Sequence, residues 1–413
     1  MIELIKELYL LNRSLVTDDF DKALTILKKE IPICIKKYQS GQECFTWIIP
    51  EKWVIKSAYI EFEGKKILDF KNHPLHVLSY SLSVNKTVSK QELLKHLFFD
   101  KNRPKAIPYV FKYYERGWGF CMPFDDVQKL KEGNYKVVID SCFEKGELKV
   151  GELLIKGKNQ KIIAIISHLC HPGQANDDLS GVSVSVEIAK ELLSRKNKYS
   201  YLFLYVPETI GSIAYLANNE KMIPDIEVGM FLEMLGNENS LVLQRTRQDN
   251  TKLDRIARYV LKKRSHESRE GGFRKIVGND EMVFNGPGID IPTISISRSP
   301  YPEYHTSDDN LSIIKEEKLL EAKEVVNEII EILEKDFIPI RKFKGPLFLS
   351  RYGLWVDYKV DKELNRNIEQ IMLNLEGELS VFEISEKLNM DFSIVYDYII
   401  KMKAKGVVDE RII

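Results

Sequence analysis

Four uninterrupted apolar runs constrain this chain more than any other feature: 161–167 (KIIAIIS), 199–207 (YSYLFLYVP), 226–234 (IEVGMFLEM) and 292–297 (PTISIS). A strand without polar alternation must be covered on both faces, and a parallel sheet between two layers of helices provides that cover. The segments between the runs have helical texture, at 181–195, 210–219, 251–263 and 315–335, and a shorter run at 240–244 adds a strand. Strands alternating with helices predict an α/β fold whose mixed or parallel sheet is flanked by helices. Right-handed crossovers then bring the C-terminal ends of the parallel strands to one rim, where such sheets place their ligands.

The rest of the chain reads differently. Residues 1–40 carry apolar positions at helical spacing (Ile2, Ile5, Leu8, Leu11, then Leu24, Leu27, Ile31), with Ser14, Asp18 and Asp19 as candidate caps. From 44 to 123, short aromatic and β-branched runs predict a β-rich unit with one helix at 90–99. The runs at 135–143 and 146–157 look like a hairpin leading out of it. Beyond Gly353, three apolar-striped helices and a terminal VVDERII segment outline a winged helix-turn-helix. The expected division is N-terminal helices 1–43 packing on the catalytic core, a β-rich insertion 44–125, an α/β domain 126–345 and a winged helix 353–413.

Lysine plus arginine and aspartate plus glutamate both number 61, so a protein that coats nucleic acid or anionic membrane is not expected. Five scattered cysteines without CxxC spacing argue against a disulfide scaffold, and no apolar run approaches the ~18 residues of a membrane helix. A reduced, cytoplasmic setting is expected. Residues 361–413 hold 7 basic and 11 acidic side chains, a net of −4. The expected recognition helix opens at Asp391 and carries Asp397, whereas DNA readers place cations or amides there. The tail is therefore expected to serve protein contact, a homo-oligomer included, rather than nucleic acid.

Metal-capable residues gather at the ends of the apolar runs. His168, Cys170 and His171 follow the first, then Asn176, Asp177 and Asp178 open a helix; Glu208 and Thr209 follow the second. Glu233 ends the third, and Tyr304, His305 and Asp309 follow the fourth. Each has a bland alternative: a strand-end histidine is usually a bonded loop residue, Asn-Asp-Asp before a helix usually a cap, and Glu208 a complement to the next helix dipole. Glu233 is the least comfortable of these, since an acid on a buried strand needs a partner. Together they form a mixed nitrogen and oxygen ligand set suited to Zn²⁺ or another divalent transition metal.

The ordered motifs His168, AlaAsnAspAspLeuSerGly (175–181), GluThrIleGly (208–211), LeuGluMetLeuGly (232–236) and TyrHisThr (304–306) resemble the co-catalytic zinc aminopeptidases of the zinc-exopeptidase superfamily. The whole chain resembles a bacterial group of aminopeptidase-like proteins with an inserted β domain and a C-terminal winged helix. The resemblance implies one or two zinc ions held by His168, Asp177, Glu233 and His305, with Glu208 as general base and Asp280 near the site. It implies hydrolysis of a small peptide or other amide substrate.

Two positions depart from that pattern. A second ligand glutamate is here Thr209, and an aspartate that orients the first histidine is here Cys170. His171 filling the gap, Cys170 binding as thiolate, Glu208 binding metal, and a site with one ion or none all remain open. Arg245, Arg247 and Tyr304 are candidates for binding substrate, the two arginines by holding a carboxylate or oxyanion, beside a reading of that pair as solvated strand-end cations. The competing class is a degenerate peptidase that binds a ligand and regulates through its tail.

Overall fold

The computed structural model describes residues 1–265 and 267–411. They fall into two compact units, Met1–Val325 and Val326–Ile413. In the first, eight strands form one mixed sheet in the order Cys34–Gln39, Glu147–Ile155, Ser200–Val206, Ile162–His168, Ile226–Leu232, Thr293–Ser297, Val242–Gln244, Arg269–Gly271. The four strands from Ser200–Val206 to Thr293–Ser297 run parallel, and antiparallel pairings flank them. Every residue of Ile162–His168 and Ser200–Val206 is buried, which is why those runs lack polar alternation. His168 pairs with Val206 and Ile166 with Phe231, so the strand ends are level and their loops open on a common rim.

The helix Leu179–Leu193 starts at that rim, capped by Asp178 through Gly181 N at 3.0 Å. A Cβ on Gly181 would stand 2.2 Å from Leu232 O, so only glycine lets this helix lie against the neighbouring strand.

Several local expectations are corrected. The N-terminal segment holds helices Ile2–Leu8 and Asp18–Glu30, the second capped by Thr17, but Cys34–Gln39 is a strand. Pairing with Glu147–Ile155 at the sheet edge overrides the local periodicity there. The helix expected at 90–99 is Lys90–Leu94, followed by a short strand at Leu97–Phe98. The hairpin expected across 135–157 is not formed. Asn134–Glu144 joins a separate antiparallel sheet with Lys52–Phe62 and Val84–Ser89, while Glu147–Ile155 enters the main sheet. Two sheets claim the two strands, so neither pairs with the other. The β-rich lobe has an aromatic core in which Trp53 stacks on Tyr80 at 5.7 Å.

In the second unit, helices Lys362–Leu373, Val381–Leu388 and Phe392–Ala404 precede the strand Val408–Arg411. That strand pairs antiparallel with Ile338–Arg341, residues the sequence groups with the α/β region. Of the expected VVDERII wing, Ile412 and Ile413 lie outside the described residues. Among the described residues no helix is long and apolar enough to cross a membrane.

Candidate metal centre

The first strand delivers His168 to the rim, and the chain turns through Leu169–Gln174 before reaching Asp177. Asp309 fixes that turn's exit. Its Oδ1 accepts from Ala175 N (3.1 Å) and Asn176 N (2.6 Å), and its Oδ2 from Asp177 N (3.1 Å) and Tyr301 OH (2.6 Å). Asp177 and Asp178, adjacent in sequence, then take different work. Asp178 accepts from Gly181 N, Met234 N and His168 N, as a cap should. Asp177 faces two histidines, with Oδ1 2.9 Å from His168 Nε2 and Oδ2 3.2 Å from His305 Nε2.

Electrostatics follow from that placement. Burial alone would raise Asp177, but the facing His171 and His168 hold it well below the usual carboxylate range. Asp178, buried beyond any offset from His168, is raised well above it. Glu208 leads out of the second strand, with Oε2 3.4 Å from His171 Nε2. Its burial, only partly offset by His168, raises it to about 7. Thr209 N donates to Asp280 Oδ1 at 3.0 Å, which anchors the residue after Glu208, and burial raises Asp280 to about 6.

Two groups of ligand atoms converge, each within 4.8 Å: His171, Asp177 and His305, and His168, Cys170 and His171. Asp177 Oδ2 and His305 Nε2 are buried and face each other at 3.2 Å, with no other hydrogen-bond partner among the described residues. A proton on the imidazole or a cation between the two satisfies such a pair, and imidazole with carboxylate suits zinc. The donor set fits such an ion. Cys170 Sγ sits 3.1 Å from His171 Nδ1 and 3.7 Å from His168 Nδ1, and accepts from Glu208 N at 3.2 Å. A ring that offers its Nε2 lone pair must carry its proton on Nδ1, facing this sulfur.

Glu233 is not brought into either group. It is buried, and its two oxygens accept from Asn279 Nδ2 and from Ser295 Oγ (2.9 Å). Burial, with the charges of Glu281 and Asp178, raises it well above the carboxylate range. Arg245 is not brought there either: it pairs with Asp249 and Glu270, the solvated strand-end reading. Arg247 pairs with Asp290 and lines a cavity of about 810 Å³ that borders Thr209. Tyr304 stacks on His305 at 3.8 Å.

Asp309, metal-capable by sequence, is instead taken up by the turn's main-chain amides and Tyr301. Two residues escape the sequence reading. Arg13, fully buried, donates to carbonyls of the turn behind the histidines. Tyr109, from the β-rich lobe, sets its ring centroid 5.0 Å from that of His171 and 5.2 Å from that of His305, and its N donates to His305 O at 2.8 Å. The lobe therefore walls the cluster through Tyr109 and keeps Trp53 for its own core. The alternating aromatics of 109–114 are the one signal that pointed this way.

The family described as a domain of unknown function, DUF4910, matches residues 2–336. This chain belongs to it. A Clostridium acetobutylicum protein, named as a candidate polysaccharide biosynthesis protein with an aminopeptidase-like domain, is 38% identical over 397 residues, 94% of this chain and 91% of the relative. The crystal structure of a candidate peptidase from the same species matches with a TM-score of 0.91 at 32% identity, covering 99% of this chain and 96% of that one. BSAP, a zinc aminopeptidase from Bacillus subtilis, shares the fold at a TM-score of 0.59 and 15% identity, covering 80% of this chain and 94% of its own. The DUF4910 chain thus has a zinc-exopeptidase-like fold: a central mixed sheet flanked by helices.

Proposed function

We propose that the chain is a zinc-dependent hydrolase that cleaves an amide of a small peptide or amino-acid derivative in aminopeptidase fashion, with Glu208 as general base. The observation that carries this reading is the convergence of His171, Asp177 and His305 within 4.8 Å, beside Glu208. His171 would fill the place left by the ligand glutamate that Thr209 replaces, so that one ion would be held by His171, Asp177 and His305. Bound there, zinc supplies Lewis acidity toward the scissile carbonyl and a neighbouring water. Glu208, raised to about 7, is matched to take a proton from that water near neutral pH and pass it to the leaving amine. Tyr109 covers the histidines on the lobe side and limits water access. The cavity beside Thr209, lined by Trp47, Arg247 and Ile289, has room for the substrate's side group.

The relative's name joins an aminopeptidase-like domain to polysaccharide biosynthesis, and this favours a second substrate class, an amide carried on a sugar. The tail's three helices and strand pair support a winged-helix reading. Asp391 caps its last helix and Asp397 lies on it, which supports a protein partner or a second copy over nucleic acid.

The test is zinc stoichiometry followed by hydrolysis of a panel spanning N-terminally free amides and N-acyl amino sugars. Glu208→Gln should cut hydrolysis by ~10²–10⁴-fold while zinc content and folding persist. Turnover retained in that variant removes Glu208 as base. Full zinc occupancy without turnover on any amide favours the regulatory reading instead.

A further inference from the structure

Arg13 is a fully buried cation with no carboxylate among its hydrogen-bond partners. Among the described residues its guanidinium donates only to main-chain carbonyls. Nε reaches Leu8 O (3.1 Å), Nη1 reaches Leu169 O (2.5 Å) and Cys170 O (2.8 Å), and Nη2 reaches His171 O (2.8 Å) and Gln174 O (3.1 Å). Four of these five acceptors belong to the turn between His168 and Asp177. Burying a charge without a direct counter-ion is expensive, several kcal/mol even after relaxation, so the fold must obtain something by it.

A second buried arginine shows the ordinary arrangement. Arg298 also donates to carbonyls, those of Leu235, Asn239 and Lys318, but Nη2 pairs with Glu321 at 3.0 Å. Burial lowers Arg13 to about 10, and the acids of the rim, Asp177 among them, only partly offset it.

The turn needs outside support. His171 is held at φ 74° and Gly173 at φ 65°, left-handed conformations that are uncommon outside glycine. Gly173 N donates to Tyr9 O at 3.2 Å, so the N-terminal segment grips the turn at a further point. With the carbonyls of Leu169, Cys170, His171 and Gln174 gathered on one guanidinium, the side chains of Cys170 and His171 face Glu208 and the ligand set. The planar five-donor fork of arginine can span four carbonyls, whereas the point charge of lysine, with three donors, cannot.

We infer that Arg13 is a positioning residue of the metal centre. It fixes the turn Leu169–Gln174 from behind and so aims His171 Nε2 at the space shared with Asp177 and His305. This rests on the zinc reading above.

The experiment is zinc affinity of the full chain by chelator competition, for wild type, Arg13→Lys, Arg13→Met, Arg13→Gly and, as a burial-matched control, Arg298→Lys. Denaturation midpoints of the metal-free proteins are read alongside. Arg13→Lys is expected to weaken zinc ~10–100-fold, the range of outer-sphere partners, and by more than Arg298→Lys at comparable stability loss. Added guanidinium ion should restore part of the affinity in Arg13→Gly. Zinc affinity within about threefold of wild type, or falling only in step with the control, overturns the inference and leaves the zinc reading intact. A wild type that takes up no zinc removes that reading and the inference with it. Failure of every Arg13 variant to fold assigns the residue to the fold and also overturns the proposal.

Discussion

The two ends of the rim treat their acids in opposite ways. At one end, Asp177 faces an imidazole nitrogen with each oxygen, His168 Nε2 and His305 Nε2, and imidazoles hold the carboxyl well below its usual range. At the other, both oxygens of Glu233 are taken by the neutral donors Asn279 and Ser295, and burial beside Glu281 keeps the carboxyl well above it. An acid supplied with donors is already satisfied and gains little from a cation. An acid facing imidazole nitrogens can share a cation with them. The superfamily pattern would use both ends; the geometry of this chain favours one, with His171 joining it.

The sharpest way to break this contrast is to empty the two ends in turn. His171→Ala removes one ligand of the proposed centre, and should cost about two to three decades of zinc affinity, a quarter-share of the ~10–16 kcal/mol of a four-ligand site. Glu233→Gln keeps a side chain that Ser295 and Asn279 can still bond and should change affinity by less than about tenfold. Metal analysis and chelator competition on both variants read the difference directly. If Glu233→Gln empties the protein as thoroughly as His171→Ala, the rim has two working ends and the contrast is wrong.

A smaller effect is expected at Cys170. Its sulfur lies within 3.7 Å of the Nδ1 atoms of both His168 and His171, so it orients two rings at once. Cys170→Ala should weaken zinc ~10–100-fold, with Cys170→Ser recovering part of the loss because a hydroxyl also accepts. A loss as large as that of His171→Ala, with a sulfur-to-metal absorption band in the cobalt-substituted wild type, would make Cys170 a ligand instead.

How much of this was open to a reader of the sequence depends on where the information lies. Uninterrupted apolar runs announce a two-sided sheet, and the polar residue ending each run marks the rim, which is why His168, Asp177, Glu208 and His305 could be picked and why the structure gathers them. The partners of Glu233 lie 46 and 62 positions away, and nothing in their local pattern ties them to it. Arg13 is silent for a different reason: its partners are main-chain carbonyls, which every residue has. The parting of Asn134–Glu144 from Glu147–Ile155 was equally hidden, since period-two alternation is the same on either sheet. Identity along the chain reports which side chains are available, and the tertiary fold decides which of them stay unsatisfied.

The last prediction extends the contrast to a group beside the site. Asp280, fully buried, holds Thr209 N through Oδ1 at 3.0 Å. Burial, only partly offset by Ser212 and the charge of His168, raises it to about 6 against ~3.9 for an unfolded aspartate. The folded state therefore binds a proton that the unfolded state has released across that interval. The group's stabilising contribution is complete below ~pH 4 and is lost as pH rises through about 6, at no more than ~1.4 kcal/mol per pH unit. Asp280→Asn keeps an acceptor for Thr209 N and has no charge to desolvate. In chelator-treated protein, its denaturant stability relative to wild type should be near zero at pH 4 and grow in favour of the variant up to pH 7. A difference that is flat with pH, or that grows toward acid, would place Asp280 with Asp177 as a charge the site requires.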